Sequence, residues 1–92
     1  MTLLARLAQA LVSPELADGR FRIEGHTDAR GAAAYNQRLS AARAEAVAHF
    51  LVQRGVAADR VQAVGRGSSE PANPRDPIAA ENRRVHVVNL AP

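Results

Sequence analysis

Gly25-His26-Thr27-Asp28, followed by Gly31, Tyr35-Asn36, Leu39-Ser40 and Arg43-Ala44, is the stretch that decides the fold. Before it, Phe21-Arg22-Ile23-Glu24-Gly25 alternates apolar and polar, the pattern of a half-buried strand. Gly25 ends that strand or lets another group approach its backbone. The small polar residues up to Gly31 make a turn. From Tyr35 the period changes. Leu39, Ala42, Ala46, Val47, Phe50 and Leu51 fall near one face of a helix. Ser40 reads as the cap of this main helix, with Ala41, Ala42 and Arg43 as its first turn. Gly55, just past Arg54, stops it.

Arg43 is the odd residue of this helix. It lies four residues after Leu39 and four before Val47, so the pattern puts it on the apolar side. A guanidinium there must snorkel to the edge or find an acceptor. Asp28, at the exit of the strand, is the candidate neighbour. One reading makes the pair a structural brace between helix and sheet, in a domain whose ligand is a partner protein. The other makes it a receptor for a zwitterion, with Asp28 taking an ammonium and Arg43 forking onto a carboxylate.

The chain has 92 residues, the size of one domain, 1–92. Its 47% apolar share suits a globular protein, although alanine supplies much of it. There is no Cys, which excludes disulfides and thiolate chemistry. The net charge is +3, and all 12 basic residues are Arg. Acids are scattered among them, with neither a basic run nor an aromatic platform, so nucleic acid is not the expected partner. No apolar stretch approaches a membrane span. Arg6 and Gln9 interrupt the apolar N-terminus, and no signal peptide is read there.

Taken in order, residues 1–12 read as an amphipathic helix with Thr2 as cap and Leu3, Leu4, Leu7, Ala8, Leu11 and Val12 as its stripe. Pro14 starts a short turn. A second strand spans 61–64, and Gly65 to Ser69 form a loop. Residues 70–77 hold three prolines and read as a loop, followed by one helical turn at 78–82. A last strand begins at Val85. The order predicts an α+β fold, a β-sheet with helices packed on one face. An uncovered sheet edge would be a place for self-association.

The quoted residues resemble the OmpA-like domain family, the C-terminal peptidoglycan-binding module of outer-membrane and envelope proteins. The likeness runs from about Arg22 to Leu90 and includes Gly55-Val56, Arg60, Gly65, Gly67, Pro71 and Asn82-Arg83-Arg84-Val85. It implies a mixed four-stranded sheet with helices on one side, in a βαβαβ arrangement. The family's first strand has no counterpart here, so the chain reads as N-terminally truncated. The resemblance also implies a ligand: the diaminopimelate of the peptidoglycan stem peptide, bound non-covalently. Its zwitterionic end would be held by Asp28 and Arg43. Thr27, Asn36 and Leu39 would line the pocket, and Asn82 and Arg83 would lie beside it. The implied location is the periplasmic side of the outer membrane, and the implied role is to anchor a parent protein to the cell wall.

Other chemistries find little support. His26, His49 and His86 are not at metal-ligand spacing, so no metal or cofactor is expected. His26 reads as a structural residue of the turn and His49 as outward-facing. Ser40 has no His–carboxylate partner in the pattern, and no enzyme is expected. Gly65 and Gly67 lack the further glycines and the Lys-Ser/Thr end of a phosphate loop.

Overall fold

The computed structural model describes residues 2–16, 18–69, 73, 75–76, 78 and 82–90. Residues 79–81 of the helical turn expected at 78–82, and most of the proline-rich loop, lie outside the described residues. Helix α1 (Leu3–Leu11) comes first, and a short 3-10 turn follows at Pro14–Leu16. Then come strand β1 (Phe21–Gly25), helix α2 (Ala33–Gln53), a 3-10 turn at Ala58–Arg60, strand β2 (Val61–Gly65) and strand β3 (Val85–Asn89). The described strands form one sheet in the order β2-β1-β3. β1 runs parallel to β2, with Ile23 opposite Ala63, and antiparallel to β3, with Ile23 opposite Val87. The sheet is mixed, as expected, and the described residues give it three strands, the three read in the sequence, where the family sheet implied by the resemblance has four.

Alternation along β1 sorts the residues by face. Phe21 and Ile23 point into a core shared with Ala8 and Leu11 of α1, Ala44 and Leu51 of α2, and Val56. Ile23 and Leu51 are fully buried, each such burial being worth about 1.5–3 kcal/mol. Gly25 lies on the same face, where an added Cβ would fall on the Ser40 carbonyl. Helix α2 therefore crosses the sheet with backbone close to backbone. Arg60 closes the base of the core: its Nε donates to the Gly19 carbonyl at 2.8 Å, and its guanidinium lies 5.8 Å from the Phe21 ring centre.

Three expectations need correction. Ser40 does not cap α2: the helix begins two turns earlier, with Ala32 at its N-cap and no side chain capping it. Ser40 instead lies mid-helix and fully buried, donating to the Gln37 carbonyl at 2.9 Å and accepting from the Gly67 N–H at 2.8 Å. The buried stripe of α2 is Asn36, Ser40, Ala44 and Leu51, while Ala42 and Ala46 are exposed. Small and polar residues face the sheet because the glycines bring the backbones close. In α1 only Ala8 and Leu11 are buried, and Leu3 is 82% exposed. The cap of α1 and the stop of α2 are as read. Thr2 Oγ1 accepts from the Ala5 N–H at 3.1 Å. Gly55 takes φ 104°, and the Val56 N–H closes back onto the Leu51 carbonyl at 3.1 Å.

Ser40 gives a direct test of the α2–sheet contact. Ser40→Ala leaves the buried Gly67 N–H without its acceptor, which costs about 1–3 kcal/mol. The urea midpoint should fall with an unchanged slope. An unchanged midpoint would mean that this hydrogen bond does not hold the loop to the helix.

Candidate functional site

The segment after β1 is held between the ends of its two neighbours. The His26 N–H donates to the Arg84 carbonyl at 2.8 Å, and the Thr27 N–H to the Gly67 carbonyl at 2.8 Å. Asp28 follows at once, so its position is set by both flanking strands. Its Oδ1 accepts from the Arg30 N–H at 2.9 Å, a local turn that fixes the carboxylate. Its Oδ2 accepts from Arg83 Nη1 at 2.6 Å, and Arg30 Nε lies 3.7 Å away. Asn36, buried on the first turn of α2, donates to the carbonyls of Arg30 at 2.8 Å and Asp28 at 3.4 Å. The loop is thereby tied to the helix as well as to the sheet.

The structure brings Asp28, Thr27, Asn36 and Arg83 together. Thr27 is buried, and its hydroxyl has no hydrogen-bond partner among the described residues. Leu39 is half-buried on α2. Asn82 is fully buried and engaged elsewhere: it accepts from the Asn73 N–H at 2.7 Å and donates to the Asp76 carbonyl at 2.9 Å. Its contribution is to shape the chain just before Arg83.

Arg43 departs from the expected pairing. It is exposed, and no ion pair or hydrogen bond joins it to Asp28 or to any other described residue. The cation paired with Asp28 is instead Arg83, 55 residues away in sequence and outside α2, so the pair does not brace the helix to the sheet. The ladder explains this, because Arg84 bonds to both backbone groups of His26 and so delivers Arg83 beside Asp28. Arg43 lies next to buried Ala44 but on the solvent side of that stripe. Sequence reasoning missed Arg30; its place two residues beyond an Asp in a turn was the available signal.

Hydrogen bonds from Arg83 and from the Arg30 backbone hold the Asp28 carboxyl below its usual pKa. Burial pushes the Glu24 carboxyl up, but hydrogen bonds from Arg66 and Arg22 outweigh it and leave this pKa lowered too. A carboxyl whose folded pKa is depressed contributes stability above its unfolded pKa, about 3.9 for Asp and 4.3 for Glu. That contribution is lost as pH falls through the folded value. The urea midpoint should therefore be flat from neutrality to about pH 5 and fall below about pH 4. Arg83→Gln should flatten part of the fall, and a wild-type midpoint constant down to pH 3, about a unit below the unfolded values, would refute the assignment.

A small α+β module with a fixed carboxylate at a strand exit, and on the following helix a guanidinium unpaired among the described residues, is a binding domain in outline. The chain belongs to the OmpA family, whose model matches residues 1–84. It is 47% identical over 73 residues to the peptidoglycan-binding protein ArfA of Mycobacterium tuberculosis, covering 77% of this chain and 22% of that protein. It is 38% identical over 87 residues to the outer-membrane lipoprotein YfiB of Pseudomonas aeruginosa, covering 92% and 51% respectively. The chain thus spans from about a fifth to a half of these relatives' lengths. Its fold superposes on the peptidoglycan-associated lipoprotein from Burkholderia pseudomallei with a TM-score of 0.81 at 34% identity, covering 95% of this chain and 74% of that one. No described helix is long and apolar enough to cross a membrane.

Proposed function

We propose that the chain is a peptidoglycan-binding domain that recognises the diaminopimelate of the stem peptide and anchors a parent protein in the cell envelope, on the periplasmic side of the outer membrane. The observation that carries this reading is the exposed Arg43, which has no ion pair or hydrogen bond among the described residues, on the helix that follows an ionised and hydrogen-bonded Asp28. Arg43 stands seven residues after Asn36, two helical turns and about 10 Å along the axis. Side chains on a helix lean toward its N-terminus, so an extended Arg43 side chain can reach back toward the loop that Asn36 holds.

Asp28 keeps acceptor capacity for an ammonium, because a carboxylate offers about four lone-pair sites and Arg30 and Arg83 use two. Arg43 takes the adjacent carboxylate as a fork. A buried Thr27 hydroxyl beside Asp28 and the half-buried Leu39 fit the wall of such a site. No bond is broken, and affinity for one stem is modest. Anchoring then comes from many stems on one polymer when several domains are tethered together. The support from relatives is the peptidoglycan-binding protein and the two lipoproteins named above.

Purified sacculi should deplete the protein from solution, and free diaminopimelate should compete. A folded protein that stays in the supernatant sinks the reading.

A further inference from the structure

We infer that Glu24, His26 and His86 form a binding site for a divalent transition-metal ion of the zinc class, on the sheet face opposite α2. Glu24 and His86 are directly opposed across the antiparallel β1–β3 pair. His26 follows Glu24 by two residues and shares its face. Glu24 Oε1 lies 3.7 Å from His26 Nε2 and 3.7 Å from His86 Nδ1. All three donor atoms lie within 4.8 Å of one another. Ligands around a tetrahedral zinc stand about 3.4 Å apart when each bond is about 2.1 Å. Two of the three separations are therefore within a few tenths of an ångström. The third closes by rotation of His86, whose side chain is 58% exposed.

The carboxylate is already divided between two tasks. Arg22 Nε at 2.8 Å and Arg66 Nη2 at 3.0 Å both hold Oε2, which leaves Oε1 to the imidazoles. Such outer hydrogen bonds orient a ligating carboxylate. The same two guanidiniums repel a cation and draw charge from Glu24, which weakens binding. Two nitrogens and one oxygen select zinc, nickel or copper over calcium and magnesium, which take oxygen ligands. Buried Glu24 and His26 form the floor, and exposed His86 is the entry side, where water completes the coordination. Histidine spacing along the chain concealed the set, because β3 supplies its third member 60 residues after His26.

Isothermal titration of the metal-free protein with zinc chloride tests the site. The expected result is one saturable ion per chain and a raised thermal midpoint. Both should be lost in His86→Ala and in His86→Gln, and both kept in His49→Ala, which alters the exposed histidine of α2. His86 is surface-exposed, so the two variants should melt like the metal-free wild type. Absence of saturable binding by the wild type overturns the proposal, as does binding that survives both His86 variants. Neither outcome touches the Asp28–Arg43 reading, whose test uses sacculi and diaminopimelate.

Discussion

Arg43→Ala will weaken binding of a diaminopimelate-containing stem peptide about 10- to 150-fold and leave the stability of the domain where it was. The affinity loss follows from removing hydrogen bonds to a charged group, worth about 1.5–3 kcal/mol. The unchanged stability follows from the structure. Arg43 is exposed, makes no hydrogen bond or ion pair among the described residues, and sits on a helix where alanine is the best-tolerated residue.

Asp28→Ala is the informative contrast. It removes the ammonium acceptor, but it also strips Arg83 of its partner and the Arg30 N–H of its acceptor. Binding and stability should fall together in that variant. Titration of both proteins with the stem peptide, alongside urea melts, distinguishes a receptor from a brace. If Arg43→Ala binds like wild type while Asp28→Ala loses stability, Asp28 serves only the fold and the zwitterion reading fails. If Arg43→Ala loses stability, the helix uses that side chain in a way its exposure does not suggest.

Most of the fold was legible because its signals are local. The alternation of Phe21 to Gly25 marks β1, Thr2 and Gly55 mark helix ends, and the valines from Val85 mark β3. The start of α2 was not legible, because Ala32 offers no capping side chain and the alanines after it carry no pattern. The buried face of α2 was misplaced for a related reason. Hydrophobic periodicity assumes that the inward residues are the large ones, yet here Asn36, Ser40 and Ala44 face inward. Asp28 was visible from its motif and the resemblance put Arg83 beside the pocket, but the pairing of the two was not readable, since the link passes through the β1–β3 ladder. A small-residue face on a helix becomes readable only when the glycines opposite are counted with it.

Those glycines make the second large prediction. Gly25→Ala and Gly65→Ala should each destabilise the domain by about 3 kcal/mol or more, at or beyond the upper end of overpacking costs. At Gly25 the new methyl would fall on the Ser40 carbonyl. At Gly65 it would lie 2.5 Å from the Ala41 nitrogen and 2.7 Å from Ser40 Oγ. The obstacles are mainly helix backbone, so no rotamer change relieves them. Helix α2 must move off the sheet, and the move opens the contact between Ile23, Ala44 and Leu51. It also breaks the Ser40–Gly67 bond and carries Asn36 away from the loop that presents Asp28. A domain of this size has a total stability toward the low end of about 5–15 kcal/mol, so either variant should be close to unfolding at physiological temperature. Gly31→Ala is the control, since nothing lies within 4 Å of its added Cβ and only the cost of its φ of 80° is felt. Thermal melts by circular dichroism give the ranking. Gly25→Ala and Gly65→Ala should lose far more than Gly31→Ala, and equal losses in all three would show that backbone conformation, not the close approach of α2, is what the glycines provide.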